Sequence, residues 1–412
     1  MTQSPNRRRF LKSSAGVSAA LAAGVGAGRA QSTAQSTAQS TNDKPAPDDP
    51  TQAPGSPARA YGERSRFEKT GRAPSSQGTS SGAPLQDLNG IITPSSLHFE
   101  RHHSGVPDID PRRHRLMIHG LVDRPLVLSM DELKRFPSVS RIHVMECSGN
   151  GFRNKGAKTA QDAHGLVSCS EWTGVPLALL LREAGVQPGA SWIVAEGSDA
   201  AKMTRSVPLA KAMNDVLLAY GQNGEAIRPE QGYPLRLFVP GWEGNISIKW
   251  LRRIKVVDQP YMTREETSKY TDLMPDGKAR QFTFEMDPKS LITYPSGGQK
   301  LANPGFYEIS GLAWSGRGAI KKVEVSVDGG GTWKDAQLQS PVLPIAFTRF
   351  RFGWKWDGSE VVLQSRCTDE HGDTQPVLAD LVKARGDHWS YHFNPIQSWK
   401  ISADGSVQNA LV

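Results

Sequence analysis

His143-Val144-Met145-Glu146-Cys147-Ser148-Gly149-Asn150-Gly151, HVMECSGNG, decides how this chain is read. A β-like run, RIHVME, delivers a cysteine into a turn flanked by glycines, which let the backbone turn tightly and admit a bulky group. A thiolate displayed there serves as a nucleophile or as a metal ligand. The nucleophile needs a base, and His143, four residues back along a strand, stands roughly 13 Å away. A single thiolate without a Cys/His cluster does not hold a structural zinc. It suits a metal whose remaining ligands come from an organic cofactor.

The other two cysteines carry less. Cys367 closes VVLQSRC on the same face as Val361, Leu363 and Ser365 and reads as a small buried hydrophobe. Cys169, in LVSCSEW, gives no preference between a buried thiol and a partner for something else. With three cysteines at most one disulfide forms, so at least one thiol stays free or otherwise occupied.

The N-terminus carries Asn6-Arg7-Arg8-Arg9-Phe10-Leu11-Lys12, then a weakly apolar Ala/Gly-rich run and Gly28-Arg29-Ala30 as a cleavage site. This reads as a twin-arginine export signal over residues 1–30, implying a periplasmic protein folded around its cofactor before export. The run is too short and too rich in glycine for a membrane span. The formal charge of +8 includes five cations within residues 1–30, so about +3 remains after processing, and no nucleic-acid partner is implied.

At 412 residues and 37% hydrophobic content the chain can bury two domain cores. Residues 31–84 begin QSTAQSTAQST and continue rich in Pro, Ser and Gly, the composition of a disordered or partner-bound arm. Residues 85–281 mix strand-like runs (RLMIHG, SRIHVME, PLRLFVP) with helical patterns over 177–183 and 209–218, an α+β domain with a linking segment after residue 260. Residues 282–412 carry VEVSVDGGGTW, FRFGWKWDGSEVVLQSRC and DEHGD: short alternating strands broken by Asp-Gly and His-Gly turns. That pattern is expected of an immunoglobulin-like β-sandwich with no competing helical period.

Together these stretches resemble the sulfite oxidase family of molybdenum enzymes, whose Cys-x-Gly-Asn motif is matched by Cys147-Ser148-Gly149-Asn150. FERHH (99–103), VPDIDP, EWTGVPL, GYPLRLFVPGWEGNISIKWL and Ala384-Arg385-Gly386 follow in the family's order, so the likeness covers residues 85–412. It implies a molybdopterin-binding domain followed by an immunoglobulin-like dimerisation domain, with Cys147 as the metal ligand. By position, Phe99, Glu100, Arg101, His102, His103, Asp199, Gln231, Arg236, Ser247, Ile248 and Lys249 would hold the molybdenum-molybdopterin and its phosphate. Arg101 would face an anionic substrate, Tyr270 would supply a phenol, Trp172 would wall the pocket and Arg385 would reach it from the far end of the chain. The chain departs from the family at Phe152 (followed by Arg153), Gln231 and Ile246, where the family often has Arg, His and Arg. Fewer cations around the metal put free sulfite in doubt as the substrate.

The longest matching stretches are similar to the branch that oxidises sulfane sulfur. This implies a persulfide on a carrier-protein cysteine as substrate, and a homodimer built through the C-terminal domain, with or without the cytochrome in a heterotetramer. Oxygen-atom transfer leaves two electrons per turnover, and Cys-x-x-Cys-His is absent. The electrons are therefore expected to pass to a separate c-type cytochrome, with no haem on this chain. Three rivals stay open: a direct sulfite dehydrogenase, a cofactor-dependent reductase acting on oxidised sulfur groups, and an exported binding module with an empty oxidase-like domain.

Overall fold

Alternation in RLMIHG turns Leu116 and Ile118 to one side of the strand Arg115–Gly120, where both are buried, and leaves Met117 outside. The computed structural model describes residues 54–151, 156–387 and 390–410; the export signal and the repeat at 31–41 lie outside them. Arg115–Gly120 is an inner strand of a five-stranded mixed sheet, in the order Leu126–Ser129, Arg115–Gly120, Leu251–Val257, Trp192–Gly197, Thr204–Pro208. Only Arg115–Gly120 and Leu251–Val257 run parallel within it. The helix Leu177–Ala184 joins that sheet's core through Leu177, Leu180, Leu181 and Ala184, spaced as one helical face. It stops at Gly185, whose φ of 70° is the left-handed C-terminal turn that favours glycine.

A second sheet is antiparallel: Val139–Glu146, Val167–Pro176, Leu217–Gln222 and Glu225–Ala226, with Arg236–Phe238 also paired to Leu217–Gln222. The helical pattern over 209–218 is a single turn, Leu209–Ala212, followed by the strand Leu217–Gln222. Asn214 and Asp215 interrupt the run, and pairing with Val167–Pro176 fixes the rest as strand, a tertiary override of local periodicity.

The C-terminal domain is a sandwich. One sheet is Lys289–Tyr294, Gly305–Trp314, Thr348–Trp356 and Gln337–Leu338; the other is Lys334–Asp335, Ile320–Ser326, Val361–Asp369, Ser398–Ile401 and Val407–Asn409. Leu363, Ser365 and Cys367 point inward from one strand, as the alternation requires. The expectation of no helix is corrected by Leu378–Arg385, whose buried apolar face is narrow enough to leave no clear period.

The arm also ends earlier than its composition implies. Arg66 onward belongs to the main unit, and Ala73–Pro74, Ser80–Gly82 and Glu100–Arg101 form a small antiparallel sheet. Backbone pairing and the complete burial of Ala83 and Leu85 order a segment that is poor in large apolar residues. Residues 54–65 form part of a separate unit and carry no regular secondary structure. Within the main unit, Leu85, Val144, Trp172 and Phe238 share one hydrophobic cluster with Leu291, Trp314 and Phe350 of the sandwich, so the two sequence-defined domains meet through a common core. No helix among the described residues is long and apolar enough to cross a membrane.

Three core histidines set an acid limit. Burial lowers His98 and His164 to about 3 and His143 to about 4, so all three are neutral in the folded protein. The unfolded chain takes up protons as pH falls through about 6.5 while the folded chain does not, so stability is lost between there and the folded values. At about pH 5 each histidine removes on the order of 2 kcal/mol. Circular dichroism of cofactor-free protein is expected to show cooperative unfolding on acidification below about pH 6; a fold stable to about pH 3 would refute neutral burial.

Candidate active site

Cys147 follows directly on the strand Val139–Glu146, and its loop is tied on both sides. Its N–H donates to the Leu166 carbonyl (2.9 Å), and Asn150 N–H donates to the Cys147 carbonyl (2.8 Å). The Asn150 side chain donates to Glu146 Oε1 (2.8 Å) and accepts from Leu166 N–H (2.9 Å), a physical role for the asparagine of the motif. Gly151, at φ 84°, is the glycine the turn requires: a Cβ there would meet Phe393 Cδ1 at 2.7 Å and His164 Cε1 at 2.9 Å.

The thiol faces a cavity that opens between the two sheets. Both sheets contribute to its walls. Met145 and Arg236 come from the antiparallel sheet, Asp199 follows the strand Trp192–Gly197, and Ser247, Lys249 and Trp250 precede Leu251–Val257. Phe99, Glu100, Arg101, His102 and His103 enter from the small sheet, and Gln231 and Tyr270 from loops. Thus fourteen side chains named in this paragraph, Cys147 included, meet around one space.

Among the described residues Arg101, Arg236 and Lys249 make no salt bridge to a carboxylate, although Glu100 and Asp199 line the same cavity and pull on Lys249. Arg236 donates to the Gln231 and Ser247 carbonyls (3.0 and 3.1 Å), and its buried Nε has no partner. Lys249 Nζ donates to the Arg101 and Glu230 carbonyls (2.9 and 3.0 Å) and to His102 Nδ1 (3.0 Å). Since Lys249 donates to Nδ1, His102 turns its Nε2–H to Glu100 Oε2 at 2.8 Å, and Arg72 closes the chain on Glu100 at 3.3 Å. Arg101 donates to the Thr79 and His102 carbonyls. Burial pushes Arg236 down to about 9; burial, then the Arg236 charge, pushes Lys249 down to about 7. Such a wall gains from an anionic group such as a phosphate, which would return the charge to Lys249.

Around the thiol the chemistry differs. Burial raises Cys147 to about 11, against the pull of the Gly149 N–H. A metal that takes the thiolate therefore has to displace a proton. Tyr270, raised by burial, shares a hydrogen bond between its hydroxyl and His103 Nε2 (2.9 Å), and burial with Arg101 lowers His103 to about 4. Tyr270 and Trp250 both have φ of 52°, uncommon for bulky residues, so packing holds them. Arg205, which sequence reading missed, supplies part of that packing: it lies 5.2 Å over the Tyr270 ring, binds Glu266 at 3.1 Å and donates to Asn245.

Three expected site residues stand elsewhere. Trp172 does not wall the cavity; it is fully buried, stacked on Phe238 at 4.8 Å, and lies under Arg236, whose guanidinium sits 5.0 Å from its ring. Ile248 points into the mixed-sheet core between the cavity residues Ser247 and Lys249. Arg385 binds Asp287 (2.6 Å) and the His392 carbonyl (2.7 Å), while His392 N–H donates to the Ser148 carbonyl (2.8 Å). It supports the cysteine loop from behind. His143 stacks on Phe238 away from the cavity, so no His143–Cys147 dyad forms. Phe152 and Arg153 lie outside the described residues.

Residues 103–265 match the oxidoreductase molybdopterin binding domain, and residues 280–393 match the Mo-co oxidoreductase dimerisation domain. The sulfite oxidase of Gallus gallus is 31% identical over 332 residues, covering 72% of this chain and 71% of that enzyme. The chain belongs to the sulfite oxidase family. The mitochondrial sulfite oxidase of Mus musculus is 34% identical over 272 residues, and the match covers 61% of this chain and half of that enzyme. The crystal structure of the sulfane dehydrogenase SoxCD from Paracoccus pantotrophus is 45% identical with a TM-score of 0.85, covering 88% of this chain and 96% of that one. As a family member the chain is a molybdopterin oxidoreductase, and the chemistry of its cavity is compatible with such a cofactor: it presents one thiol that a metal could take and two cations without a salt bridge, the buried Arg236 and the half-buried Lys249, that an anionic group could meet. No group of three or more His, Cys, Asp or Glu among the described residues could hold a metal unaided, so the organic part has to supply the remaining ligands.

Proposed function

We propose that this chain oxidises sulfane sulfur carried as a persulfide on a carrier-protein cysteine, and passes the electrons to a separate c-type cytochrome. The observation that carries the reading is the likeness to sulfane dehydrogenase, 45% identity over 88% of the chain. The bound cofactor supplies oxygen-atom transfer to sulfur. Cys147 holds the metal; Arg236, Lys249 and His102 bind the anionic end of the pterin. Arg101 attracts the anionic sulfur, and Tyr270, kept neutral and tethered to His103, offers its phenol oxygen at the same cavity. On this reading the protein is exported through the twin-arginine route and forms a homodimer through the C-terminal domain.

The test is anaerobic reduction of added ferricytochrome c by molybdenum-loaded protein, with a persulfide-bearing carrier peptide or with sulfite. A kcat/KM at least about tenfold higher for the persulfide is expected. Faster turnover of sulfite would make the chain a sulfite dehydrogenase instead. Correctly folded protein that takes up no molybdenum would leave only the binding-module reading.

A further inference from the structure

Cys147 also lines a second, much tighter cavity, together with Glu146, Ser148 and Asn150 of its own loop. It is the one described residue common to both cavities. Apart from Cys147 and Phe393, the residues around this inner chamber are polar. Lys289 binds Glu146, which also accepts from Trp314 Nε1 (2.7 Å), and His392 Nδ1 meets Glu243 Oε1 at 2.7 Å.

Four of its buried polar atoms have no hydrogen-bond partner among the described residues: Ser148 Oγ, Glu243 Oε2, Asn394 Oδ1 and His392 Nε2, the last 3.9 Å from Asp272 Oδ2. Their residues are 1%, 4%, 6% and 6% exposed. Each such atom left dry costs about 1–3 kcal/mol, and four around one space is far more than a native fold tolerates without solvent. Ordered water is the group that satisfies a mixed set of hydroxyl, carboxyl, imidazole and amide atoms at once. Asp287 and Asn394 line both the chamber and an open surface pocket, where they are joined by Arg317, Asp373 and Arg385.

We infer that this chamber is a water-filled passage serving the active site, bringing water to the metal side of Cys147 and carrying protons away at the seam with the C-terminal domain. The inference rests on the proposed oxidation. Each turnover adds one oxygen atom from water to sulfur; two electrons leave to an external one-electron haem acceptor and two protons leave to solvent. A carrier peptide in the front cavity blocks that side to water, so a rear route allows exchange while the substrate is docked.

A high-resolution crystal structure of molybdenum-loaded protein tests it, with molybdenum measured on the same sample. Ordered waters within hydrogen-bonding distance of Ser148 Oγ, Glu243 Oε2, His392 Nε2 and Asn394 Oδ1 are expected. Asn394→Leu, which plugs the passage, should lower turnover about tenfold with a larger solvent isotope effect and unchanged molybdenum content. Ser148→Ala, which removes no protein hydrogen bond, should lose the water at that position and slow turnover in the same sense, and it serves if the leucine variant fails to fold. A dry chamber in loaded protein, or variants with wild-type turnover and isotope effect, overturns the passage while leaving the proposed function standing. Absence of molybdenum from the wild type overturns both.

Discussion

Cys147→Ser is expected to lower sulfur oxidation by about a thousandfold or more, equivalent to ~4 kcal/mol of barrier, while most of the pterin stays bound. The two effects separate because the cavity divides the labour. Cys147 is the only thiol among its described lining residues, and burial already holds that thiol near 11. A serine hydroxyl is far harder to ionise, so the metal keeps a weaker ligand or none. On the proposed reading Arg236 and Lys249 would hold the anionic end of the cofactor, and the substitution leaves both in the cavity wall. Nor does the loop depend on the sulfur: it is tied by the Cys147 N–H and by the Asn150 side chain. Pterin released on denaturation, molybdenum by mass spectrometry and steady-state rates measure the three quantities. Wild-type turnover in the serine variant would remove Cys147 from the metal. Loss of pterin in step with activity would mean that the thiolate, and not the cationic wall, anchors the cofactor.

The parts of this site that could be read from the sequence are those whose chemistry is local along the chain. The cysteine turn and the Phe99–Arg101–His103 segment announce themselves because consecutive residues enter one cavity. Trp172 could not be placed in this way. Its strand, Val167–Pro176, is buried on both faces, so alternation does not say which side meets the cofactor. Ile248 fails for the opposite reason: it stands between two cavity residues in sequence, yet its side chain joins the mixed-sheet core. Arg385 depends on Asp287 and His392, partners that no spacing rule connects to it. Arg205 left even less trace, since its partners lie 40 or more residues further along the chain: Asn245 on the 3-10 turn Gly244–Ile246, Glu266 on the short helix Arg264–Thr267 and Tyr270 just after it. The C-terminal sandwich was legible from its turns, but its share in a common core with the first domain was not, because periodicity reports a buried face without naming what covers it.

Arg236→Met is expected to move cofactor binding and the stability of the cofactor-free protein in opposite directions. Arg236 is 2% exposed, and its hydrogen bonds go to the carbonyls of Gln231 and Ser247, to the Gln231 side chain (3.5 Å) and to Met145 Sδ (3.3 Å). None of these partners is a carboxylate, and Nε has no partner. A buried cation compensated only by dipoles and the Trp172 face is a net cost, which burial expresses by lowering its pKa to about 9. Methionine fills similar space without charge, so the cofactor-free variant should gain about 1–3 kcal/mol in chemical denaturation. The same change removes a charge-assisted contact to the phosphate and should weaken cofactor binding about a hundredfold, ~3 kcal/mol. Lys249 provides an internal check. The Arg236 charge is the second cause, after burial, of its depression to about 7, so its pKa should rise in the variant. With its folded pKa below the unfolded value, protonated Lys249 is a penalty that disappears as pH rises from about 7 toward about 10.4. Cofactor-free wild type should therefore become more stable across that window, and the variant less markedly so. Should Arg236→Met destabilise the cofactor-free protein while leaving cofactor affinity intact, Arg236 would be a structural partner of Trp172 and not the anchor for an anion.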